Sequence, residues 1–182
     1  MSSRLAGVAI ALAILGAGTA AAAQSNTAER AASRDQLRAV LTSYGPTVNI
    51  NFRQSDKNEW NFVGNLTQGL TNAEYFEVVA GITSNKTLSI SSYPHYKGSY
   101  INVDKARNPT GLLRRMANLS YRNFMPWGSD DGGDIVALFK ITLESGFPNE
   151  AVRVVLSSIK NLDQYVGQMR PDIDGTNAPE AK

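Results

Sequence analysis

Few residues in this 182-residue chain are of the types that act in catalysis or bind metals, and these types limit the possible reactions. There is no cysteine, which excludes thiolate catalysis and a disulfide framework. His95 is the single histidine, so one chain cannot build a zinc site from several histidines, and a Ser-His-Asp triad could form only around this residue. The sequence places no nucleophile beside His95. We therefore predict a non-enzymatic protein with no catalytic residues, no metal site and no cofactor.

Carboxylates are concentrated in the segment SDDGGD at residues 129–134. Three aspartates at this spacing could supply oxygen ligands to calcium, but the segment lacks the alternation and the distal glutamate of an EF-hand loop. Asp and Gly are also the residues that a hairpin turn needs, because Gly accepts positive φ and Asp bonds its own backbone. We interpret the segment as a turn.

Aromatic side chains cluster in SSYPHYKGSY, which carries Tyr93, His95, Tyr96 and Tyr100. On a loop, such side chains could stack on a sugar or a peptide, and the four residues are a candidate binding site. The alternative interpretation, which we favour, is an edge of the sheet where the tyrosines pack and their hydroxyls reach water. The loop interpretation leads to our second functional hypothesis, a small periplasmic ligand-binding or hydrolytic protein.

Basic residues outnumber acids between positions 97 and 122, where Asp104 is the single acid. Arg114 and Arg115 are the candidate binding residues of this segment, for an anionic ligand or a lipid headgroup surface. A solvated helix face balanced by nearby acids is the alternative, and we favour it. The six basic residues are Lys97, Lys105, Arg107, Arg114, Arg115 and Arg122.

The first 23 residues have the composition of a secretory signal peptide. Arg4 is followed by an uninterrupted run of apolar and small residues, and Ala21, Ala22 and Ala23 directly precede Gln24. We expect cleavage after Ala23 and a periplasmic or secreted protein with no stable membrane span; an uncleaved anchor is the alternative. Cleavage removes one of 18 basic residues against 16 acidic ones, which leaves a formal net charge of +1. That balance lacks the electrostatic footprint of nucleic-acid binding.

The rest of the chain is predicted to form a single α+β domain over residues 33–170, followed by a disordered tail at 171–182. Helices are expected at the start, middle and end rather than after every strand, which indicates a largely antiparallel sheet. The first helix spans 33–44 with Ser33 as N-cap, and the second begins at Asn108 with Pro109 in its first turn. The buried stripe of the second helix is predicted to contain Leu112, Leu113, Met116 and Leu119.

Strands are predicted from alternating apolar residues. Residues 70–83 fit either a strand or a short helix, and clustered β-branched residues favour the strand. Residues 94–107 read as irregular except for a short extended piece at 99–103. The remaining strands are expected at 47–53, 59–66, 87–93, 123–128 and 134–144.

The C-terminal helix has the most regular pattern in the chain. It begins at Pro148 and is stopped by Pro171, and its apolar residues recur at spacings of three and four. This stripe either packs onto the chain's own sheet, which we favour, or leaves a face for a partner helix. The candidate dimer face consists of Val152, Val155, Ile159, Leu162 and Val166, and Met169 completes the stripe.

Three segments carry a resemblance to a known family: the second helix, the hairpin NFMPWGSDDGGDIVALFKITLESG and the helix FPNEAVRVVLSSIKNLDQYVGQM. Together they resemble the YbjN family of bacterial sensory-transduction regulators, whose domain is similar to type III secretion chaperones. The resemblance implies a homodimeric, protein-binding domain without catalytic residues. Export departs from a cytosolic chaperone, and residues 67–107 exceed the length that the family pattern requires. Our main hypothesis is an exported, non-enzymatic binding or assembly domain with a protein or peptide partner.

Overall fold

A seven-stranded antiparallel sheet organises the fold, with helices at its N-terminal, middle and C-terminal positions. A computed structural model describes the backbone of residues 9–177 and the side chains of residues 26–177. Six strands lie in the order β1-β2-β3-β4-β7-β6, and β5 pairs with β4. The predicted α+β class with a largely antiparallel sheet is confirmed. The elements are α1 (Ala9–Tyr44), β1 (Arg53–Gln54), β2 (Asn61–Leu66), β3 (Tyr75–Ile82), β4 (Thr87–Tyr96), β5 (Ser99–Tyr100), α2 (Pro109–Arg122), β6 (Trp127–Ser129), β7 (Ile135–Thr142), α3 (Asn149–Ser158) and α4 (Asp163–Ile173).

One face of the sheet forms the core. On β3, alternate residues from Phe76 to Ile82 are buried, and Ala80 lies opposite Ile90 of β4. Because side chains on a strand alternate between faces, this register collects the apolar set of both strands on one side. The helices cover that side with residues such as Leu37 and Leu112. The preference for a strand over a helix at residues 70–83 was therefore correct.

The first helix is longer than its pattern predicts. Ser33 is not an N-cap, because its Oγ donates to the carbonyl of Glu29 within the continuing helix. Residues 1–8 of the predicted signal segment lie outside the described residues, and cleavage after Ala23 stays a prediction. Among the helices that the structure describes, none combines the length and the apolar content that a membrane crossing requires.

The strand predicted at residues 47–53 is largely wrong. Residues Gly45–Val48 form a 3₁₀ turn with a proline in its first positions, and Asn49 adopts the left-handed conformation with φ of 61°. The chain then makes one isolated bridge, from Ile50 to Leu66, before the short strand β1 pairs with β2. The predicted antiparallel hairpin is present, but its first strand is short because the proline turn occupies the start of the segment.

The predicted C-terminal helix is divided by a 3₁₀ turn at Ile159–Leu162 into α3 and α4. The apolar spacing nevertheless runs through the break. Its six residues, Val152, Val155, Ile159, Leu162, Val166 and Met169, are each 0 or 1% exposed within the single chain. Core packing was therefore the correct alternative. The dimer face assigned to the first five of these residues is wrong, because a partner helix could contact them only if this core opened.

Pro171 does not stop the last helix, and the chain beyond it is not a detached tail up to residue 177. Pro171 lies inside α4, in its last turn, where few helical hydrogen bonds remain to be lost. The backbone N–H groups of Arg107 and Asn108 then donate to the carbonyls of Ile173 and Asp172, both at 2.9 Å. Polar composition predicted a disordered tail, but residues up to 177 are ordered because their backbone carbonyls accept hydrogen bonds from the loop before α2. Residues 178–182 lie outside the described part.

Candidate functional site

The face of the sheet opposite the core carries a mixed polar and apolar surface. Cross-strand pairing places Val63, Val79, Ser91 and Leu138 in one row across β2, β3, β4 and β7. All four are half-buried, whereas the adjacent row of the core face, Gly64, Val78, Ser92 and Ala137, is buried. We call this the open face. Its residues present apolar side chains next to the hydroxyl of Ser91, which hydrogen-bonds to Tyr93.

An aromatic cluster occupies one end of the open face. The ring of His95 stacks on Tyr75, with centroids 3.9 Å apart and an interplanar angle of 19°, and lies 4.0 Å from the ring of Tyr100. Tyr93 meets Tyr100 edge-on at 5.9 Å. The strand register explains the assembly, because His95 is the Cα partner of Tyr75 on β3 and of Tyr100 on β5. The segment is a hairpin, since β4 continues to Tyr96, and not the irregular stretch predicted from residue 94.

Burial shifts the acid–base properties of this cluster. It lowers the pKa of His95 because the charged imidazolium would lose water, although the acids Glu77, Glu74 and Asp134 oppose the shift. Burial, together with the charge of Glu77 and a hydrogen bond to it, raises the pKa of Tyr100 to about 12. The two groups are therefore neutral at pH 7. The cluster offers neutral ring edges and hydroxyls rather than a charge.

The geometry does not assemble a Ser-His-Asp triad through His95 Nε2. This nitrogen is buried and makes no hydrogen bond with any residue that the structure describes. A general base needs its nitrogen within reach of the proton that it removes, and no serine hydroxyl within the described residues hydrogen-bonds to this nitrogen.

The candidate residues do not all meet. Tyr93, His95 and Tyr100 come together, but Tyr96 lies on the other side, where its hydroxyl donates to Asp174 at 2.9 Å. Tyr75 belongs to the cluster and was missed by sequence reasoning. Its position opposite His95 depends on a long-range register, although an aromatic residue at the start of a predicted strand is a weak local signal.

Asp174 ties this side of the hairpin to the C-terminal segment. Burial alone would raise its pKa, but hydrogen bonds from Lys97, Thr176 and Tyr96 outweigh burial and lower the pKa of Asp174 below its ordinary value. Lys97 Nζ donates to this carboxylate at 2.6 Å. The contact orders the chain after α4.

A cleft of about 350 Å³ adjoins the aromatic cluster and shares Tyr93 with it. Ser89 and Ser91 of β4 line it, together with Arg30 of α1. The Arg30 guanidinium lies 3.8 Å from the centre of the Trp60 ring and donates to the carbonyl of Ile82 at 2.7 and 3.0 Å. This anchor fixes α1 against the sheet and provides one cationic wall beside neutral hydroxyls.

Helix α2 presents a second surface, away from the sheet. Leu113, predicted to be buried, is 48% exposed, because the core stripe of α2 uses Leu112, Met116 and Leu119 only. Tyr121 is 93% exposed and Phe124, just after the helix, is 51% exposed. Leu113 and Tyr121 are eight residues apart and therefore lie on one side of the helix.

The arginines of α2 lie beside that apolar row. Arg114 is exposed, whereas Arg115 is half-buried and donates from Nε to Asp172 at 2.6 Å. The two candidate residues therefore differ in role, because Arg115 also fastens α4 to α2.

The segment SDDGGD is a hairpin turn between β6 and β7. Asp130 Oδ1 accepts hydrogen bonds from the backbone N–H groups of Gly132 and Asp134, at 3.0 and 2.9 Å. Gly133 adopts φ of 80°, which favours glycine. The turn interpretation is confirmed. No group of three or more potential metal-ligating side chains occurs among the residues that the structure describes.

Comparison with known proteins supports the fold. No protein-family model matches the sequence, and neither does any curated protein. One chain of the crystal structure of the ExsC–ExsE complex is similar, with a TM-score of 0.50 and 14% sequence identity. The match covers 78% of this chain and 97% of that chain. At this level of identity the similarity establishes a common fold.

Proposed function

We propose that this chain is a protein-binding domain, chaperone-like or regulatory, and not an enzyme. The observation that carries the proposal is the fold: it matches 97% of a chain that was crystallised in a complex of two proteins. The open face supports it, because half-buried valines and leucine there alternate with serine and asparagine side chains. Such a surface suits a polypeptide, which offers both apolar side chains and backbone hydrogen-bonding groups.

We place the partner segment on the open face, where it crosses the paired residues Val79 and Ser91 and lies against Tyr93. The partner's apolar side chains contact the exposed parts of Val63, Val79 and Leu138. Its polar groups pair with the serine hydroxyls and with the Arg30 guanidinium in the adjoining cleft.

Photo-crosslinking tests this placement. A crosslinking amino acid is introduced at Ser91 and, as a matched control, at Val154, which is 57% exposed on α3. Irradiation in an extract of the producing cells should yield a discrete protein adduct from position 91 and none from position 154. The proposal fails if both positions give the same adducts, or if position 91 gives none.

A relationship to the YbjN family and a homodimeric state belong to the same proposal. The face that a second copy would use is the row of Leu113, Ala117 and Tyr121 on α2, extended by Phe124. These side chains are exposed, and none is charged. Two copies related by a two-fold axis would bring identical uncharged rows together and bury their large apolar side chains.

Export to the periplasm or the medium is the last element of the proposal, and it rests on the composition of residues 1–23. N-terminal sequencing of the protein recovered from fractionated cells should give a chain that starts at Gln24, outside the cytoplasm. A cytoplasmic chain that retains Met1 or Ser2 would refute export.

A further inference from the structure

A groove between α2 and α4 concentrates positive charge. Arg114, Arg115 and Arg122 line it, and Asp172 is the one acid in its wall. Both carboxylate oxygens of Asp172 are already occupied, since one accepts from Arg115 Nε at 2.6 Å and the other from Asn108 Nδ2 at 3.0 Å. Three guanidinium groups thus face a single carboxylate, and two positive charges are left over.

The uncompensated arginines are free to take a ligand. Neither Arg114 nor Arg122 forms an ion pair with any residue in the described range 26–177. They lie eight residues apart, or about 12 Å along the axis of α2, with Asn118 midway on the same side. Their side chains are long enough to converge on one group between them. The amides of Asn118 and Gln168 add neutral donors to the same groove.

The residue types select the ligand chemistry. All the cations are arginines, whose planar guanidinium groups donate pairs of parallel hydrogen bonds to phosphate or carboxylate oxygens. A phosphate monoester carries about −1.5 to −2 charge at pH 7 and so matches the two unpaired charges better than one carboxylate does. The groove volume of about 410 Å³ is within the range of small-molecule sites, roughly 300–1,000 Å³.

We propose that the α2–α4 groove binds the phosphate group of an anionic ligand through Arg114 and Arg122, with Arg115 held in place by Asp172. The phosphate can belong to a soluble phosphorylated compound or to the headgroup of a phospholipid. The site is separate from the open face, where the partner segment is placed, because it lies on the helical side of the sheet, beside the apolar row of α2.

Two binding measurements on the full chain separate the two sources. Calorimetric titration uses inorganic pyrophosphate and glycerol 3-phosphate as soluble probes. Sedimentation uses vesicles of phosphatidylglycerol, with phosphatidylcholine vesicles as the uncharged reference. The variant R114Q/R122Q removes both free charges at exposed positions, and R153Q on α3 is the matched control, since Arg153 pairs with Glu150 away from the groove.

Binding of either soluble probe that weakens at least tenfold in R114Q/R122Q and is unchanged in R153Q supports a soluble phosphorylated ligand. Binding to phosphatidylglycerol vesicles alone, with the same dependence on the two arginines, supports a lipid headgroup. The proposal is overturned if the unmodified chain binds no probe, or if R153Q weakens binding as much as R114Q/R122Q. Circular dichroism of each variant confirms that a loss of binding does not come from unfolding.

Discussion

Asp163 accepts a hydrogen bond of 2.7 Å from the backbone N–H of Ala73, ninety residues earlier in the chain. The same carboxylate accepts from the backbone N–H groups of Thr71 and Asn72 and from Asn72 Nδ2, at 2.8 to 3.1 Å. Asp163 is 7% exposed and begins α4. One buried side chain therefore fixes the loop before β3 to the C-terminal helix.

Asp163→Ala is expected to destabilise the fold by about 3 kcal/mol. The substitution leaves three backbone N–H groups without their acceptor, that of Ala73 in a buried place and those of Thr71 and Asn72 in partly buried ones. Each unsatisfied group costs about 1–3 kcal/mol, less where water can enter. Urea denaturation of this variant and of Gln164→Ala, a substitution at the exposed neighbouring residue, measures the difference. A loss of less than 1 kcal/mol in Asp163→Ala would show that the loop rearranges and does not depend on the carboxylate.

The contact between α4 and the same loop leaves no room for a side chain at Gly167. A Cβ there would lie 2.6 Å from Asn72 Oδ1 and 2.8 Å from Asn72 Cγ. Gly167→Ala should lower the free energy of unfolding by about 1 kcal/mol, because overpacking costs about 1–3 kcal/mol and exceeds the helix propensity of up to about 1 kcal/mol that alanine adds.

A double-mutant cycle identifies the cause of that loss. In the background Asn72→Ala the obstructing amide is gone, so Gly167→Ala should become neutral or stabilising. The steric explanation is wrong if Gly167→Ala costs the same in both backgrounds.

The stability of the protein should fall as the pH decreases from about 7.5 to about 5. The pKa of His95 is lowered in the folded chain, chiefly by burial, so the unfolded chain binds a proton first as the pH falls through about 6.5. The contribution of neutral His95 is therefore complete above the unfolded pKa and is lost below it.

Because the chain has a single histidine, His95→Gln isolates this effect. The variant should show a flatter dependence of the urea midpoint on pH between 7.5 and 5 than the unmodified chain. Parallel pH profiles for the two proteins would mean that His95 is protonated in the folded state as readily as in the unfolded one.

Removal of the exposed apolar row on α2 should abolish the proposed dimer without loss of stability. Leu113→Ser/Tyr121→Ser replaces two side chains that are 48% and 93% exposed in the single chain. We expect the unmodified protein to be a dimer by light scattering at micromolar concentration, the variant to be a monomer, and Val154→Ser on α3 to remain a dimer. An unmodified protein that is monomeric under these conditions contradicts the homodimer.

The sequence alone determined the class of the fold and the identity of most buried residues. Alternation along Phe76–Ile82 and the three-four spacing from Val152 to Met169 both follow from burial on one side of a strand or a helix, and the structure buries both sets. The turn at 129–134 could also be predicted, because its hydrogen bonds are local and depend on Asp and Gly at adjacent positions.

The tertiary structure decided which distant residues meet. The stacking of His95 between Tyr75 and Tyr100 depends on the pairing of three strands, and the docking of residues 172–176 depends on partners at positions 96–115. Likewise, apolar periodicity could not tell Leu112 from Leu113, since both fit a helical stripe and only the position of the sheet determines which of them is covered. The local spacing of apolar residues indicates which residues are suited to burial. Which residues cover them is determined by contacts between segments that are distant in the sequence.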